Sequence, residues 1–228
     1  MAYAYVGGNE NMNLSGVSQA SISTTYTPTA GNTLIILVTY DVTSTPTISG
    51  GGNTYNAGAG PYGDATGTGQ INQVFYAQSV AGGSTSFLAS FSPSSPYVGI
   101  RVEEYSGLGT YIGAVGQFQT SPGTGAGAVT SGNLNVSSAP AMFYGWGSNT
   151  DGNSTLSATA GWAANRDVFT ANGTNWSITA DELVSVTGNQ AATFTSTNAF
   201  QHYATFAIAF QIAGGGPPGI PLLGQILM

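Results

Sequence analysis

The carboxylates are the side chains of this sequence that are best suited to acid–base chemistry. The candidates are Asp41, Glu103, Glu104, Asp151, Asp167, Asp181 and Glu182. Glycoside hydrolysis would need two of them about 5 to 10 Å apart across a cleft. Side chains alternate along a strand, so Glu103 and Glu104 are expected on opposite faces, and so are Asp181 and Glu182. Arg101 shares a face with Glu103, and we expect the two to form a surface ion pair that stabilises the fold little.

Nucleophilic catalysis and metal binding have equally little support. No Gly-x-Ser-x-Gly motif is present, and the one histidine, His202, shares strand parity with Phe206, which indicates a structural residue. The chain has no cysteine, so thiolate metal sites and disulfides are excluded. Asn149, Asp151 and Asn153 place oxygen ligands at alternate positions, as in part of a calcium loop, but the later bidentate glutamate is missing. An Asx-rich turn explains them without a metal, and we expect neither enzymatic activity nor a cofactor.

Tryptophan side chains offer a different chemistry, because β-sandwich modules bind sugars on exposed aromatic platforms. Trp146 lies in a core-like strand, whereas Trp162 and Trp176 flank loops. Trp162 and Trp176 are therefore the candidate glycan contacts, with burial in the core as the alternative for each.

The charge composition restricts the partners of this 228-residue chain. Charged residues make up 5% of it, the net charge is −7, and Arg101 and Arg166 are the only strong cations in a sequence without lysine. A basic groove for nucleic acid is therefore excluded, and binding to an anionic membrane surface is disfavoured. No run approaches the roughly 18 apolar residues of a membrane span. Hydroxyls and amides must keep the protein in solution, which is typical of extracellular β-proteins.

The spacing of turn residues predicts an all-β fold, because no long stretch has helical period. We expect a two-sheet antiparallel β-sandwich, of the immunoglobulin-like or jelly-roll kind, in residues 17–213. Residues 1–16 are expected to form an N-terminal strand or arm, and residues 214–228 a Gly/Pro hinge with an apolar tail. Residues 34–40 are a nearly continuous apolar run, as expected for a strand buried on both faces. Residues 203–213 alternate large apolar with small residues, which predicts a half-buried strand.

A faint internal repeat emerges when the chain is compared with itself at an offset of 106. Val102 then meets Ile208, and Tyr97 meets Tyr203. The match predicts a two-part organisation in which each half contributes the same series of strands, although a chain of low complexity also yields such matches by chance. We expect one domain, because neither half would have a sheet face that it can bury alone.

Several turn and core segments carry a family resemblance. They read PTAGNTL at 28–34, GNTY at 52–55, YAQSVAGG at 76–83, VEEYSG at 102–107 and AIAF at 207–210. Over about residues 2–213 the chain resembles a widespread uncharacterised β-sandwich family of environmental bacterial surface proteins and phage structural proteins. The resemblance implies a fold and no activity. In architecture the chain is also similar to pilus and fibre subunits in which a terminal strand of one subunit completes the sandwich of another, an arrangement called donor-strand exchange.

The apolar tail is the segment that best suits such an exchange. Ile220, Leu222, Ile226 and Met228 share one side at period two, and the neighbouring prolines oppose a helix. These four residues are the expected donor strand, and a disordered tail is the alternative.

The N-terminal segment competes with the tail for this role. Tyr3, Tyr5 and Val6 form the alternative donor, because glycines also set this segment apart. The sequence does not decide which end is lent. The first residues lack the basic and apolar regions of a signal peptide, so we expect a processed start or export by another route, such as release inside a phage particle.

Together these features predict a structural subunit of an extracellular helical filament or pilus, whose partner is another copy of the same chain. Polymerisation would proceed by β-augmentation, in which backbone hydrogen bonds set the register and alternate apolar side chains fill pockets. The alternatives are a phage virion decoration or fibre protein and a monomeric glycan-binding module. The expected location is extracellular or on the cell surface, and the virion in the phage alternative.

Overall fold

The computed structural model describes residues 2–13, 15–41, 44–63, 70–83, 85–120, 127–149, 156–159, 162–171, 174–196 and 202–214. Within these ranges every regular element is a β-strand, and every strand pairing is antiparallel. The all-β prediction is therefore confirmed. The described residues contain no helix long and apolar enough to cross a membrane.

The first half of the chain forms two sheets. Its strands are β1 (Ala4–Asn13), β2 (Gln19–Tyr26), β3 (Thr33–Asp41), β4 (Thr45–Ser49), β5 (Asn56–Gly63), β6 (Gln70–Ala77), β7 (Thr85–Ser95) and β8 (Val98–Ser106). A five-stranded sheet has the order β1-β8-β3-β6-β5, and a three-stranded sheet has the order β2-β7-β4.

The second half continues the same pattern. Its strands are β9 (Leu108–Thr120), β10 (Gly127–Thr130), β11 (Leu134–Val136), β12 (Ala141–Asn149), β13 (Leu156–Ala158), β14 (Ala163–Ala171), β15 (Thr174–Val184), β16 (Gly188–Gln190), β17 (Thr193–Ser196) and β18 (His202–Ile212). They form a five-stranded sheet β14-β15-β12-β18-β9, a three-stranded sheet β10-β17-β13 and the pair β11-β16.

The two halves share one topology. Replacing β1, β8, β3, β6 and β5 by β9, β18, β12, β15 and β14 converts the first five-stranded sheet into the second. Replacing β2, β7 and β4 by β10, β17 and β13 likewise converts the first three-stranded sheet into the second, while the pair β11-β16 has no counterpart among the described strands. The two-part organisation expected from the repeat is thus present in the order of the strands.

The hydrogen-bond register corrects the offset of the repeat by one position. Ile36 pairs with Val102 on β3 and β8, and the equivalent pair on β12 and β18 is Phe143 with Ala209. Val102 therefore corresponds to Ala209, and its predicted match with Ile208 is wrong, because the Ile208 side chain points to the opposite face of its sheet. A slip of one position exchanges the two faces of a strand, since side chains alternate with a period of two.

Three buried clusters hold the sheets together, and we name them by position. The first-half core consists of Ile22, Leu34, Ile36, Val38, Tyr40, Ile71, Phe75, Ala77, Val80, Phe87, Ala89, Phe91, Val98, Ile100 and Val102. The second-half core consists of Val129, Val136, Ala141, Phe143, Leu156, Ile178, Ala180, Val184, Ala192, Phe194, Tyr203, Ala207 and Ala209. The central core consists of Ile35, Leu37, Ala59, Val74, Tyr105, Met142, Tyr144, Trp146, Ala204, Phe206, Ile208 and Phe210.

These clusters order the sheets into four layers. In each half, a five-stranded sheet packs on its three-stranded sheet around that half's own core, and the two five-stranded sheets pack on each other around the central core. The expectation that neither half could bury a sheet face alone is therefore wrong. The finer prediction of a single two-sheet sandwich is not confirmed, because the described strands form five sheets.

Burial on both faces distinguishes the middle strands. On β3, Leu34 and Ile36 face the first-half core while Ile35 and Leu37 face the central core, which confirms the prediction for this apolar run. The prediction of a half-buried β18 is wrong, because Ala207 and Ala209 face the second-half core and are as buried as the large residues of the strand. Alanine is compatible with either environment, so the alternation of residue size was misleading.

Candidate functional site

The calcium and donor-strand predictions fall largely outside the described residues. Asp151 and Asn153 lie there, as do the tail residues Ile220, Leu222, Ile226 and Met228. Asn149 ends β12 and His202 begins β18, but the structure describes neither side chain. In the described part of the chain, no three His, Cys, Asp or Glu side chains are grouped as metal ligands would be. Both predictions stay predictions.

The tryptophans are distributed between the cores. Trp146 is fully buried and stacks on Phe206 with ring centroids 5.1 Å apart. Trp162 is half-buried, and its ring centroid lies 5.8 Å from that of Phe143 and 6.1 Å from that of Phe194. One side of its ring therefore covers the second-half core. Trp176 is part of β15, and its side chain is not described. A glycan contact through Trp162 and Trp176 remains a prediction.

The alternative donor segment lies in a sheet of its own chain. Tyr5 pairs with Tyr105 as β1 runs along β8 at the edge of the first five-stranded sheet. Tyr3 and Tyr5 pack against the central core, whereas the Val6 side chain is exposed. In this position β1 completes its own sheet, and its donation to another copy stays a prediction.

A buried polar cluster lies where β8 faces β15 across the central core. The Arg101 Nε and Glu103 Oε1 atoms are 3.2 Å apart, and their side chains are 12% and 0% exposed. Thr179 Oγ1 donates a hydrogen bond of 3.0 Å to the same Glu103 oxygen. The expected pair of Arg101 and Glu103 therefore forms, but its placement at the surface is wrong, because the second half of the chain covers it.

Arg101 also links this cluster to the N-terminal strand. Its Nη2 donates to the Tyr5 hydroxyl at 3.1 Å, and its Nη1 lies 3.5 Å from Glu10 Oε2. Burial lowers the pKa of Arg101, but Glu103, Tyr5 and Glu10 raise it more, and the pKa is raised overall. The guanidinium is therefore held charged between β1 and β8.

Asp181 accepts hydrogen bonds from two tyrosine hydroxyls in this polar cluster. The hydroxyls of Tyr3 and Tyr105 donate to its Oδ1 and Oδ2 atoms, each at 2.9 Å, and Asp181 is 3% exposed. Burial, followed by the nearby Glu103 charge, raises the pKa of Tyr144 well above its usual value, so this hydroxyl stays protonated. We name Arg101, Glu103, Thr179 and Asp181 the polar seam.

The polar seam occupies one of two equivalent places in the molecule. In the register of the repeat, its four members correspond to Ile208, Phe210, Asn72 and Val74, where β18 faces β6. Three of these counterparts are apolar, and Tyr76 packs edge-on against Phe210 with centroids 5.5 Å apart. The contact of β18 with β6 is thus made mainly by apolar side chains. The polar seam is therefore a feature of the contact between β8 and β15 that its counterpart does not share.

The two carboxylates of the polar seam are engaged by protein donors. Glu103 and Asp181 lie on strands that meet only through the packing of the two halves, so sequence reasoning had no signal for their approach. Glu104 points to the other face, as predicted, and there accepts hydrogen bonds from the Tyr26 hydroxyl at 2.7 Å and from the Thr29 amide at 2.9 Å. These hydrogen bonds fix neighbouring segments of the chain to one another.

An apolar groove opens at the end of the same seam. It has a volume of about 400 Å³ and is lined by Ala2, Tyr3, Pro140, Leu183 and Ile212. Leu183 is 58% exposed, although leucine is usually buried. The groove joins both halves, since Ala2 and Tyr3 belong to the first and the other three residues to the second.

Both ends of the described chain meet the connection between the halves at this groove. Gly107 separates β8 from β9 with φ +73°, and the Ala213 amide donates to its carbonyl at 2.8 Å. A Cβ atom on Gly107 would lie 2.6 Å from the Ala2 carbonyl oxygen. Sequence reasoning missed the groove, because its described lining residues are far apart in the sequence.

Comparison of the chain with models of protein families, with curated proteins and with solved structures found no match.

Proposed function

We propose that the protein is a structural subunit of an extracellular filament or pilus, and that it polymerises with copies of itself by β-augmentation through its apolar tail. A terminal segment of one copy would add to the surface of the next, with backbone hydrogen bonds and alternate apolar side chains providing the contact.

The position of the tail relative to the fold carries this proposal. Strands β1 to β18 run from Ala4 to Ile212, and each half has its own core. The apolar residues from Ile220 to Met228 therefore come after two halves that have the same strand order and a core each. Burial of four such side chains contributes at most about 6 to 12 kcal/mol before ordering costs, which supports a contact between copies.

The contacts of β1 favour the tail over the N-terminal segment as the lent strand. Tyr3 is hydrogen-bonded to Asp181 and Tyr5 to Arg101, so lending β1 would break both contacts and expose the edge of β8. Lending the tail breaks none of these contacts. The polar seam then serves to hold the two halves and β1 together as one rigid unit.

We assign the jelly-roll topology to each half, which favours a virion decoration or fibre protein as the second candidate. The orders β1-β8-β3-β6 and β2-β7-β4, and their equivalents in the second half, support this assignment, because a jelly roll has the same orders and is used in viral capsid and lectin domains. One departure is that β5 extends the five-stranded sheet beside β6 instead of lying beside β4. A fold alone does not define a function, so this observation ranks behind the tail.

Negative-stain microscopy of native material distinguishes the two candidates. Fibres without capsids are the expected result for a filament subunit. Attachment of the protein to capsids would support the virion candidate and contradict the filament. A monodisperse monomer with affinity for a polysaccharide would contradict both and support a glycan-binding module.

A further inference from the structure

We infer that the apolar groove lined by Ala2, Tyr3, Pro140, Leu183 and Ile212 is the acceptor for the apolar tail of a second copy of this chain. The inference rests on the proposed function, because it identifies the surface to which the lent segment binds.

The chemistry of the groove matches that of the tail. Its five described lining residues are uncharged, and so is every residue from 214 to 228. Among the described residues the exposed large apolar side chains are Val6, Val17, Tyr97, Leu183 and Val186, and of these Leu183 lines the groove. Contact with an apolar segment would remove Leu183 from water without leaving any charge unpaired.

The size of the groove fits part of the tail. Its volume of about 400 Å³ is at the lower end of the roughly 300 to 1,000 Å³ of pockets that enclose small ligands. A few aliphatic side chains fill such a space, so the groove would take one section of the tail and leave the rest to the neighbouring surface.

The origin of the tail determines its reach. Ile212 lines the groove, and Gly214 lies two residues beyond it. Ile220 follows six residues after Gly214, and Met228 follows fourteen residues after it. In a fully extended chain these residues would lie about 20 and 50 Å from Gly214. The groove and the start of the tail therefore lie side by side in each copy. A copy that has bound a tail in its groove still has its own tail to offer to a further copy.

The prolines of the hinge favour a second copy over the tail's own groove. To fill its own groove, the tail would have to reverse direction directly after Ile212. Pro217, Pro218 and Pro221 fix their own φ angles and push the preceding residues to extended conformations. A reversal into the tail's own groove would therefore have to be made at Gly214 and Gly215, before the residues that the prolines restrict.

A pair of matched substitutions tests the groove. Leu183→Asp places a charge in the wall, whereas Val186→Asp places one three residues further on, at a side chain that is 64% exposed and outside the groove. Both positions are exposed, so both variants should fold, which circular dichroism checks. We expect Leu183→Asp to raise the protein concentration needed for assembly at least tenfold and Val186→Asp to leave it unchanged. Equal assembly of the two variants would overturn the inference.

Cross-linking identifies the occupant, and the absence of native cysteine makes it specific. A Leu183→Cys protein is mixed with a mass-tagged Leu222→Cys protein under mild oxidation, and the double variant is oxidised alone. We expect a disulfide between the tagged and untagged chains. A disulfide only within single chains of the double variant would show that the tail fills its own groove, and would overturn the inference.

The same experiment separates this inference from the proposed function. Fibres of the wild-type chain together with no disulfide in either arrangement would overturn the groove while leaving the filament intact. Disulfide-linked pairs without any fibre would mean that two copies exchange tails in a closed dimer. That result would support the groove and contradict the filament.

Discussion

Arg101 is enclosed where the two halves meet, and three polar side chains lie within 3.5 Å of its guanidinium: Glu103, Tyr5 and Glu10. Buried ion pairs contribute little net stability, because desolvation of the charges offsets their attraction. Removal of one partner is costly all the same, since it leaves the other buried and uncompensated. The equivalent junction is closed by Ile208 and Phe210, so the charges are better explained by the specific placement of β1 than by stability.

Substitution of Asp181 tests the polar seam. In Asp181→Ala the buried Tyr105 hydroxyl and the Tyr3 hydroxyl both lose their acceptor. We expect the free energy of unfolding to fall by about 2 to 5 kcal/mol in urea titrations. The matched control is Glu182→Ala, which changes the next residue on the opposite face and should cost less than about 1 kcal/mol. Equal losses for the two variants would contradict the role of the seam.

Buried tyrosines predict a loss of stability at alkaline pH. Burial raises the pKa of Tyr40 to about 12, whereas an unfolded tyrosine titrates near 10. Above pH 10 the unfolded chain therefore releases protons that the folded chain retains, and the free energy of unfolding decreases with pH. For Tyr40 the loss between pH 10 and 12 is about 2 to 3 kcal/mol.

Denaturant titrations from pH 9 to 12 measure this loss. Tyr40→Phe should reduce the decrease relative to the wild type, whereas Tyr97→Phe, at an exposed tyrosine, serves as the control. An unfolding free energy that is constant over this range would contradict the assignment of Tyr40 as a buried, protonated group.

At the level of elements, the strands with strong patterns were predictable and their partners were not. Residues 34–40 were identified as doubly buried because the run is largely apolar without interruption, and β3 is the middle strand of its sheet. The repeat was detected but misplaced by one position, because few side chains are identical between the halves. Phe87 and Phe194, both fully buried and equivalent in the corrected register, are such an identical pair.

The contribution of the turn between β8 and β9 to the stability of the fold can be tested at Gly107. Gly107→Ala must adopt φ +73° and also brings its Cβ atom within 2.6 Å of the Ala2 carbonyl oxygen. Gly31→Ala is the matched control, since Gly31 has φ +86° and no atom within 4 Å of the new Cβ. We expect about 1 to 2 kcal/mol of destabilisation for Gly31→Ala from backbone strain alone. Gly107→Ala should lose at least about 1 kcal/mol more by the same urea titration, because the close contact adds to the strain. Equal losses would contradict the close approach of Ala2.

At the level of the whole molecule, the approach of the two halves created what the sequence could not indicate. The central core, the polar seam and the groove all depend on one five-stranded sheet packing on another. Local patterns specify which face of a strand is apolar, but they do not specify which sheet covers it. For this reason Arg101 and Glu103 were expected at the surface, and the groove was not expected at all.

The groove also changes how the ends of the chain must be tested. Ala2 and Tyr3 are part of its wall, and β1 is part of the first five-stranded sheet. Removal of residues 1–8 would therefore damage the acceptor as well as the alternative donor. Removal of the tail leaves every described strand and every described lining residue in place.

The most direct test of the proposed function compares the full chain with a chain ending at Gly214 by negative-stain microscopy under identical conditions. The full chain should form fibres, and the shortened chain should remain monomeric with an unchanged circular dichroism spectrum. Fibres of the same appearance from the shortened chain, or a monodisperse monomer from the full chain, would contradict the proposal that the tail joins one copy to the next.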